Sequence, residues 1–381
     1  MLHEGRAGVP VPAVDEVQVY RGDEAVSILE RRRVVPAGAG FWQRPEWHVP
    51  VIRHLVPRPE SLFLFDVSAG GAPAGFMLLS WDRRAAAWRA PLYPHVDVYD
   101  AAVAEGIGAG AVVQAVLRRL AAASPRPWSR LVVGRVPCRG PLGTALLHGP
   151  PPRLAVRPDG AQAWFALAPG TDPLAGAGAR FRRNLRRLWR RLERRGGPVL
   201  EVVSEPSRLG QALETFMALE ASGWKGPGGT RSAIGAQPRI AAFYRDLVGT
   251  WGRRGACRIH LLRLGGRPVA GHLALVHGDT LSLLKIGYDA AVAELAPGVM
   301  LLYRLLLEEA ARGRFRRLSL VTDPPWARRW APRRDPMLRA TVFNDTLRAT
   351  VLAGWETAKR WRRRILGRDD TLVAGGGRLV P

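Results

Sequence analysis

The sequence has few cysteines and few closely spaced histidines. Its two cysteines, Cys138 and Cys257, lie far apart without a C-x-x-C spacing, which excludes a disulfide framework and a cysteine zinc site. Its eight histidines form no H-x-H or H-x-x-x-H pair, and the odd spacing of His272 and His277 predicts opposite faces of one strand. We therefore expect no metal centre.

The sequence also lacks a long apolar run and a leader. No segment approaches the roughly 18–20 apolar residues of a membrane span. The N-terminus shows no basic segment followed by an apolar one, so we predict no signal peptide. Hydrophobic residues make up 47% of the chain, enough to build buried cores. These features favour a globular, cytoplasmic protein.

Lysine is rare, although the formal net charge is +25. The only lysines are Lys225, Lys285 and Lys359, so arginine carries nearly all the positive charge. With so much Ala, Gly and Pro, this composition is as typical of a coding bias as of a function. The charge nevertheless attracts phosphate-bearing ligands, RNA and anionic surfaces.

The heptapeptide Y-D-A-A-V-A-E occurs twice, from Tyr99 to Glu105 and from Tyr288 to Glu294. Around each copy the patterns predict strand, Gly-Gly turn, strand, strand, heptapeptide, helix and strand in one order. We infer a duplication in which both copies form the same corner. Only the second unit shows two clear helices in front of its first predicted strand, at 205–220 and 239–251.

The element order predicts an α+β fold of two tandem units, each with a mixed sheet flanked by helices. We place the first unit at residues 1–165, the linker at 166–179, the second unit at 180–366 and the tail at 367–381. In the second unit we expect strands over Cys257–Leu264, from Pro268 and over Thr280–Tyr288, a helix over Pro297–Arg312, and a terminal helix over 345–365.

Four segments of the second unit carry a family resemblance. They are F-R-R-N-L-R-R-L-W-R-R-L-E-R-R-G-G from Phe181, L-E-A-S-G-W-K-G (Leu219–Gly226), L-K-I-G-Y-D (Leu284–Asp289) and A-P-G-V-M-L-L (Ala296–Leu302). With them, residues 180–330 resemble the GNAT-like acyltransferases of the cellulose-biosynthesis CelD type. These are distant relatives of the FemABX peptidyltransferases, which also carry two GNAT-like units. The chain departs from the family at Ala296, usually Ser, and at Arg328 and Arg329, where a lysine is common.

The resemblance implies an acyl-CoA donor in a gap between two strands, with its pyrophosphate at a helix N-terminus. In the second unit that helix starts at Pro297, which has no N–H, and we expect the donor to bind there, with Gly298, Val299 and Met300 presenting their N–H groups to it. The first unit offers an alternative in the glycine-rich loop Gly106–Gly110. We favour the second loop.

The resemblance also points to acceptor and catalytic residues. Trp224 is expected as an apolar platform of the acceptor site, with Lys225 and Lys285 binding anionic groups. Tyr288 is the candidate acid for the leaving thiolate and Asp289 the candidate base. The usual tyrosine on the helix after the last core strand is missing, and Asp323, Trp326 and Trp330 stand in that region instead.

The segment 180–195 contains nine arginines. Its apolar residues fall on one helical face: Phe181, Leu185, Leu188, Trp189 and Leu192. A docked helix with a solvated basic face explains this pattern. The alternatives are a surface for a phosphate-rich donor, tRNA or an anionic membrane, with a second basic patch at residues 359–364.

The sequence thus predicts an acyltransferase that moves an acyl group, acetyl above all, from acyl-CoA to an amine or hydroxyl. The acceptor is a small molecule, with a saccharide or cell-envelope precursor as a candidate. Two alternatives stay open: a FemABX-like transferase that uses aminoacyl-tRNA, and a non-catalytic basic module that binds nucleic acid or a membrane surface.

Overall fold

The computed structural model describes residues 14–32, 40–122, 128–222, 232–346 and 349–353. Within these ranges the chain forms thirteen strands in one mixed sheet and eight α-helices packed against it. The first half comprises β1 (Glu16–Arg21), α1 (Gly22–Arg31), α2 (Pro45–His54), β2 (Leu62–Ala69), β3 (Ala72–Asp82), β4 (Ala87–Arg89), β5 (Ala102–Val103), α3 (Ala109–Ala122), β6 (Arg130–Pro137), α4 (Pro141–His148) and β7 (Leu154–Ala166).

The second half begins with one additional helix and then repeats this succession without counterparts of β5 and α4. It comprises α5 (Ala179–Glu193), β8 (Pro198–Val203), α6 (Pro206–Ala221), α7 (Pro238–Gly252), β9 (Cys257–Leu264), β10 (Arg267–His277), β11 (Thr280–Tyr288), α8 (Pro297–Arg312), β12 (Arg317–Ser319) and β13 (Arg333–Phe343). The bounds of β9, β11 and α8 are those expected from the sequence.

The order of the strands shows a duplication with exchanged last strands. The sheet runs β1-β2-β3-β4-β6-β13-β7-β12-β11-β10-β9-β8, and β5 pairs with β3. Counted inward from either edge of the sheet, the fourth and fifth strands are parallel to each other. These pairs are β4 with β6 on one side and β11 with β12 on the other. The sixth strand then comes from the other half of the chain: β13 pairs with β6, and β7 pairs with β12. The division at residues 165 and 180 stays a prediction.

Both Gly-Gly turns have the same backbone form. Gly70 and Gly71 have φ of 57° and 75°, and Gly265 and Gly266 have φ of 56° and 80°. Two consecutive positive φ angles define a type I′ hairpin turn, which glycine adopts without steric cost. The two turns therefore provide a common origin for comparing the strands that follow them.

Counted from these turns, the two heptapeptides are not equivalent. Gly75 lies across from Val103, whereas its counterpart Ala270 lies across from Tyr288. The next hydrogen bond agrees, since Ala104 N donates to Ala74 O and Asp289 N donates to Val269 O. Tyr288 thus corresponds to Val103, four residues after Tyr99. The expectation that both copies form the same corner is wrong, although the duplication itself is evident from the sheet.

One further expectation about the first unit also needs correction. The sequence showed no clear pair of leading helices, but α1 and α2 occupy that place. α2 contains Pro50 in its interior and reads poorly as a helix, yet most of its side chains are buried. Tertiary packing thus overrides local propensity here.

The two halves share a core through α2 and α7. The rings of Trp47 and Phe243 meet edge to face with centroids 5.7 Å apart. The Trp251 indole N–H donates to Glu46 O at 3.3 Å. One cluster of buried apolar residues includes members of both halves. This packing and the strand exchange join the halves into one body. The predicted terminal helix and tail lie largely outside the described residues.

Candidate functional site

A cavity of about 380 Å³ opens where β11 and β12 separate. The two strands pair only from Thr280 with Arg317 to Ser282 with Ser319. Beyond Ser319 the chain stays attached to β7, because Leu320 N donates to Ala163 O at 2.8 Å. β11 continues to Tyr288 without this partner, which leaves a gap between the strands.

Most of the wall of this cavity, which we call the donor cavity, comes from three elements. β11 contributes Leu283, Ile286 and Tyr288, and the start of α8 contributes Pro297, Gly298 and Val299. The 3₁₀ turn Pro325–Trp330 closes the third side with Trp326, Arg329 and Trp330. Most of the lining is apolar, which suits a hydrocarbon or thioester arm rather than a charged ligand.

The N-terminus of α8 presents two backbone N–H groups at this cavity. Pro297 has no N–H, and Gly298 and Val299 lie in the first turn, where the helix supplies no acceptor. Ala296 caps the helix in the left-handed conformation, at φ 51°, and its methyl group cannot accept a hydrogen bond. The two N–H groups and the helix dipole thus form a site that favours an anion.

Met300 does not contribute to this anion site. Its N–H donates to Ala296 O at 3.0 Å, and its side chain is fully buried in the apolar core. The expectation that the Met300 amide faces the donor is therefore wrong. Pro297, Gly298 and Val299 line the cavity, and donor binding by them stays a prediction.

A bulge in β11 decides which side chains reach the donor cavity. Leu273 pairs with Lys285 and Ala274 with Leu283, so Leu284 is an extra residue. After the bulge Ile286 and Tyr288 line the cavity. Gly287 faces α6, because a Cβ on it would lie 3.0 Å from Glu220 Cα. By alternation Lys285 is on the same face as Gly287 and outside the cavity.

The hydrogen bonds of Asp289 stabilise the corner after β11. One carboxylate oxygen accepts from Ala291 N at 3.0 Å, and the other pairs with Arg267 at 2.7 Å. Asp289 is buried, and both its oxygens have partners. These contacts give it a positioning role, and the predicted role as a base gains no support from them.

The predicted acceptor residues Trp224 and Lys225 lie outside the described residues. The segment that precedes them contacts the Tyr288 corner. Ser222 Oγ lies 3.0 Å from Tyr288 O and accepts from Ala290 N at 3.2 Å. The last described residue before W-K-G, Ser222, therefore lies beside the Tyr288 corner of the donor cavity.

His272 is a site residue that the sequence did not single out. It lines the donor cavity, it is 1% exposed, and its Nδ1 has no hydrogen-bond partner among the described residues. Burial lowers the pKa of His272 to about 3, so its imidazole is neutral at physiological pH. Across the β10–β11 pair it lies opposite Ile286, another residue of the cavity lining.

The corresponding space in the first unit is filled. After β4, Ala90 N donates to Val132 O and Tyr99 N donates to Arg135 O, so the chain stays attached to β6. Tyr99 is 2% exposed, and its hydroxyl donates to Leu78 O at 2.7 Å. The glycines of Gly106–Gly110 lie exposed on the surface, just before α3 and in its first turn. This difference favours the second unit as the donor site.

The basic segment forms α5 and packs against α8 and the wall of the donor cavity. Leu185 and Leu192 are fully buried, and Phe181 meets the ring of Trp330 edge to face, with centroids 5.2 Å apart. On the opposite side, exposed arginines have no acidic partner among the described residues: Arg180, Arg183, Arg186, Arg187 and Arg190. The patch at 359–364 lies outside the described residues.

The described ranges contain neither a metal-binding cluster nor a membrane-spanning helix. No group of three His, Cys, Asp or Glu side chains there has an arrangement that would hold a metal ion. No helix in the same ranges combines the length and apolar character needed to cross a bilayer.

Comparison with known proteins supports the fold. Residues 179–328 match the model of the acetyltransferase (GNAT) domain family. The structure of L-PGS from Bacillus licheniformis is similar, with 14% identity, 87% of this chain and 95% of that chain covered, and a TM-score of 0.54. The structure of FemX is also similar, with 10% identity, 89% of this chain and 100% of that chain covered, and a TM-score of 0.51. No curated protein matches the sequence.

At these identities the likeness concerns the fold alone. The fold is α+β, with two GNAT-like units in tandem, as expected from the sequence. The narrower resemblance to the CelD type is not distinguished by these comparisons and stays a prediction.

Proposed function

We propose that this chain is an acyltransferase that binds acyl-CoA in the donor cavity of its second unit. The observation that carries the proposal is the gap between β11 and β12, closed at one end by the N-terminus of α8. An apolar cavity that ends at free backbone N–H groups fits a ligand with an apolar arm and a phosphate end. Acyl-CoA has both.

In this arrangement the pyrophosphate accepts hydrogen bonds from Gly298 N and Val299 N. Arg329, which also lines the cavity, adds a positive charge nearby. A Cβ on Gly298 would contact the Tyr288 ring at 3.4 Å, so the helix start has little room to spare on that side. The acyl end lies against Leu283 and Ile286, near the point where the strands separate.

The reaction is attack of an amine or hydroxyl on the thioester carbonyl. A bond forms between the nucleophile and the acyl carbon, the carbon–sulfur bond breaks, and the proton of the nucleophile ends on the thiol. Tyr288 is 41% exposed on the cavity wall, but its ring borders Gly298 at the pyrophosphate end rather than the acyl end, so its role as the acid for the leaving thiolate stays a prediction. Positioning supplies much of the remaining acceleration, since an oriented thioester needs little further activation. Acetyl is the proposed acyl group, and a saccharide or cell-envelope precursor is the proposed acceptor.

A second candidate function rests on α5. Its exposed arginines flank the wall of the donor cavity, which suits a donor much more anionic than CoA. FemX and L-PGS share the fold, and a FemABX-like transferase would take its aminoacyl group from tRNA. The same arginines would also suit an anionic membrane.

Calorimetric titration with acetyl-CoA tests the first candidate. Gly298→Glu places a carboxylate at the anion site and is expected to abolish binding. Gly108→Glu is the matched control in the first unit, where an added Cβ meets nothing within 4 Å. Loss of binding in the control with retention in Gly298→Glu would move the donor to the first unit.

The second candidate requires a separate titration with aminoacyl-tRNA. Replacing Arg183, Arg186, Arg187 and Arg190 with alanine is expected to weaken tRNA binding and to flatten its salt dependence. The matched control replaces Arg208 and Arg245, whose charges are already paired with Glu201 and Glu214. If wild-type protein binds aminoacyl-tRNA but not acetyl-CoA, the second candidate is the correct one.

A further inference from the structure

A second cavity, of about 270 Å³, lies where the two halves of the sheet meet. We call it the junction cavity. Gln43 and Asp100 line it from the first half, Ser282 and Asp335 line it from the second, and Gln162 lines it from the exchanged strand β7. Ser282 faces the junction cavity, and the next residue, Leu283, faces the donor cavity. The two cavities are therefore separate sites that share β11.

Two buried hydrogen-bond donors in the lining have no partner. The side-chain nitrogen of Gln162, a residue 5% exposed, and the indole nitrogen of Trp42 make no hydrogen bond within the described part of the chain. A buried donor left without an acceptor is unfavourable, because it has lost its hydrogen bonds to water and gained none in exchange. An occupant of the cavity that carries acceptor oxygens would supply the missing partners.

The lining also offers carboxylate acceptors. Asp100, 3% exposed, accepts from Gln43 Nε2 at 2.9 Å and from Leu142 N at 2.8 Å. Asp335 pairs with Arg317, whose guanidinium lies 4.0 Å from the centre of the Trp164 ring. Each carboxylate has lone pairs beyond these bonds. An occupant must therefore donate hydrogen bonds as well as accept them.

The charges of the junction cavity are close to balanced. Arg317 offsets Asp335 inside, and exposed Arg139 and Asp279 at the rim carry opposite signs. Burial raises the pKa of Asp100 to about 7, so this carboxyl carries only part of a negative charge near neutral pH. Burial lowers the pKa of His277 to about 4, so this wall residue is neutral. A strongly charged ligand would gain no net attraction in such a site.

We propose that the junction cavity binds a compact, uncharged polyhydroxylated molecule the size of one monosaccharide. A hydroxyl group both donates and accepts, so a ring of hydroxyls meets the needs of Gln162, Trp42 and the two carboxylates together. The volume corresponds to roughly nine waters at about 30 Å³ each, which is enough for one sugar ring. This site goes beyond the proposed acyl transfer and depends on neither acyl-CoA nor its cavity.

Calorimetric titration of the full chain, without CoA, tests the proposal. The probes are D-glucose and myo-inositol, with L-serine as a zwitterion of small size. At least one of the two polyols is expected to bind, and L-serine is not. Gln162→Leu removes the unpaired donor and is expected to weaken polyol binding at least tenfold. Gln211→Leu, on the exposed side of α6, is the matched control and should bind as wild type does.

The melting temperature distinguishes a binding role of Gln162 from a structural one. Since Gln162→Leu removes an unpaired buried donor, it should not lower the melting temperature while it weakens binding. If that variant does not fold, Trp42→Phe removes the second unpaired donor and is expected to give the same loss. The proposal is overturned if neither polyol binds, if only L-serine binds, or if the folded variants bind as tightly as wild type. Acetyl-CoA binding is measured separately, so failure of one site does not affect the conclusion about the other.

Discussion

Ser319 Oγ accepts the N–H of Val321 at 3.0 Å at the point where β12 leaves β11. Val321 has φ of 64°, a left-handed conformation that a β-branched residue rarely adopts. Both residues are buried. The hydrogen bond therefore stabilises an unfavourable backbone conformation that directs the chain away from β11 and opens the donor cavity.

Ser319→Ala is expected to lower the free energy of unfolding by about 1–3 kcal/mol, because it leaves the buried Val321 N–H without its acceptor. It should also weaken acetyl-CoA binding, since the cavity wall depends on this bend. Urea unfolding and calorimetry measure the two effects. Ser207→Ala, at an exposed position on α6, is the control. Unchanged stability in Ser319→Ala would show that the bend is fixed by other contacts.

Tyr288→Phe preserves the shape of the cavity wall and removes only the hydroxyl. If Tyr288 protonates the leaving thiolate, kcat should fall by about 100-fold while the affinity for acetyl-CoA stays the same. The assay follows release of free thiol from acetyl-CoA with a panel of amine and saccharide acceptors. Tyr303→Phe is the control, since that ring packs on Trp189 with centroids 6.5 Å apart. An unchanged kcat in Tyr288→Phe would exclude the acid role.

Much of the fold could be predicted because its elements are locally encoded. The Gly-Gly turns, the Gly278-Asp279 hairpin and Pro at the start of α8 mark their elements by backbone chemistry alone. The exchange of β7 and β13 could not be predicted. Each strand pairs with partners far away in the chain, and its own pattern is the same in either half of the sheet.

The site shows where sequence identity misleads. Seven identical residues made Tyr99 and Tyr288 look equivalent, but one is buried and the other lines a cavity. Strand register, set by turns and bulges, decides which residues correspond. His272 was not predicted as a site residue for a related reason. A single histidine on an apolar strand gives no signal until the strand opposite it separates from its neighbour.

Asp289→Asn distinguishes a positioning role from a catalytic one. The amide keeps an acceptor oxygen for Ala291 N and loses the ion pair with Arg267, which is 71% exposed and thus weakly coupled. We expect a loss of less than about 1 kcal/mol in the free energy of unfolding and little change in kcat.

Asp289→Ala also removes the side-chain acceptor of Ala291 N, and it should lower the free energy of unfolding by about 1 kcal/mol more than Asp289→Asn does. Chemical unfolding and the thiol-release assay report both quantities. A large drop in kcat for the asparagine variant at unchanged stability would instead identify Asp289 as the base.

The stability of the protein should fall in acid, and His272 should contribute to that fall. Its pKa is lowered from 6.5 to about 3 by burial, so between these values the unfolded chain binds a proton that the folded chain does not. The stabilisation is complete above pH 6.5 and is lost as the pH falls towards 3. Asp100 acts in the opposite direction, because burial raises its pKa from 3.8 to about 7 and favours the folded state as the pH falls. Burial lowers the pKa values of His48 and His277 to about 4, so both histidines act in the same direction as His272. The three histidines together outnumber Asp100.

His272→Gln removes one of these groups and keeps a neutral polar side chain. The decrease in the free energy of unfolding between pH 6.5 and pH 5 should be smaller in the variant than in wild type by about 1–2 kcal/mol. Urea unfolding at the two pH values measures it, with His148→Gln at an exposed position as the control. Equal decreases in wild type and His272→Gln would mean that His272 takes up a proton in the folded state, which would require water or a ligand at its Nδ1 in the donor cavity.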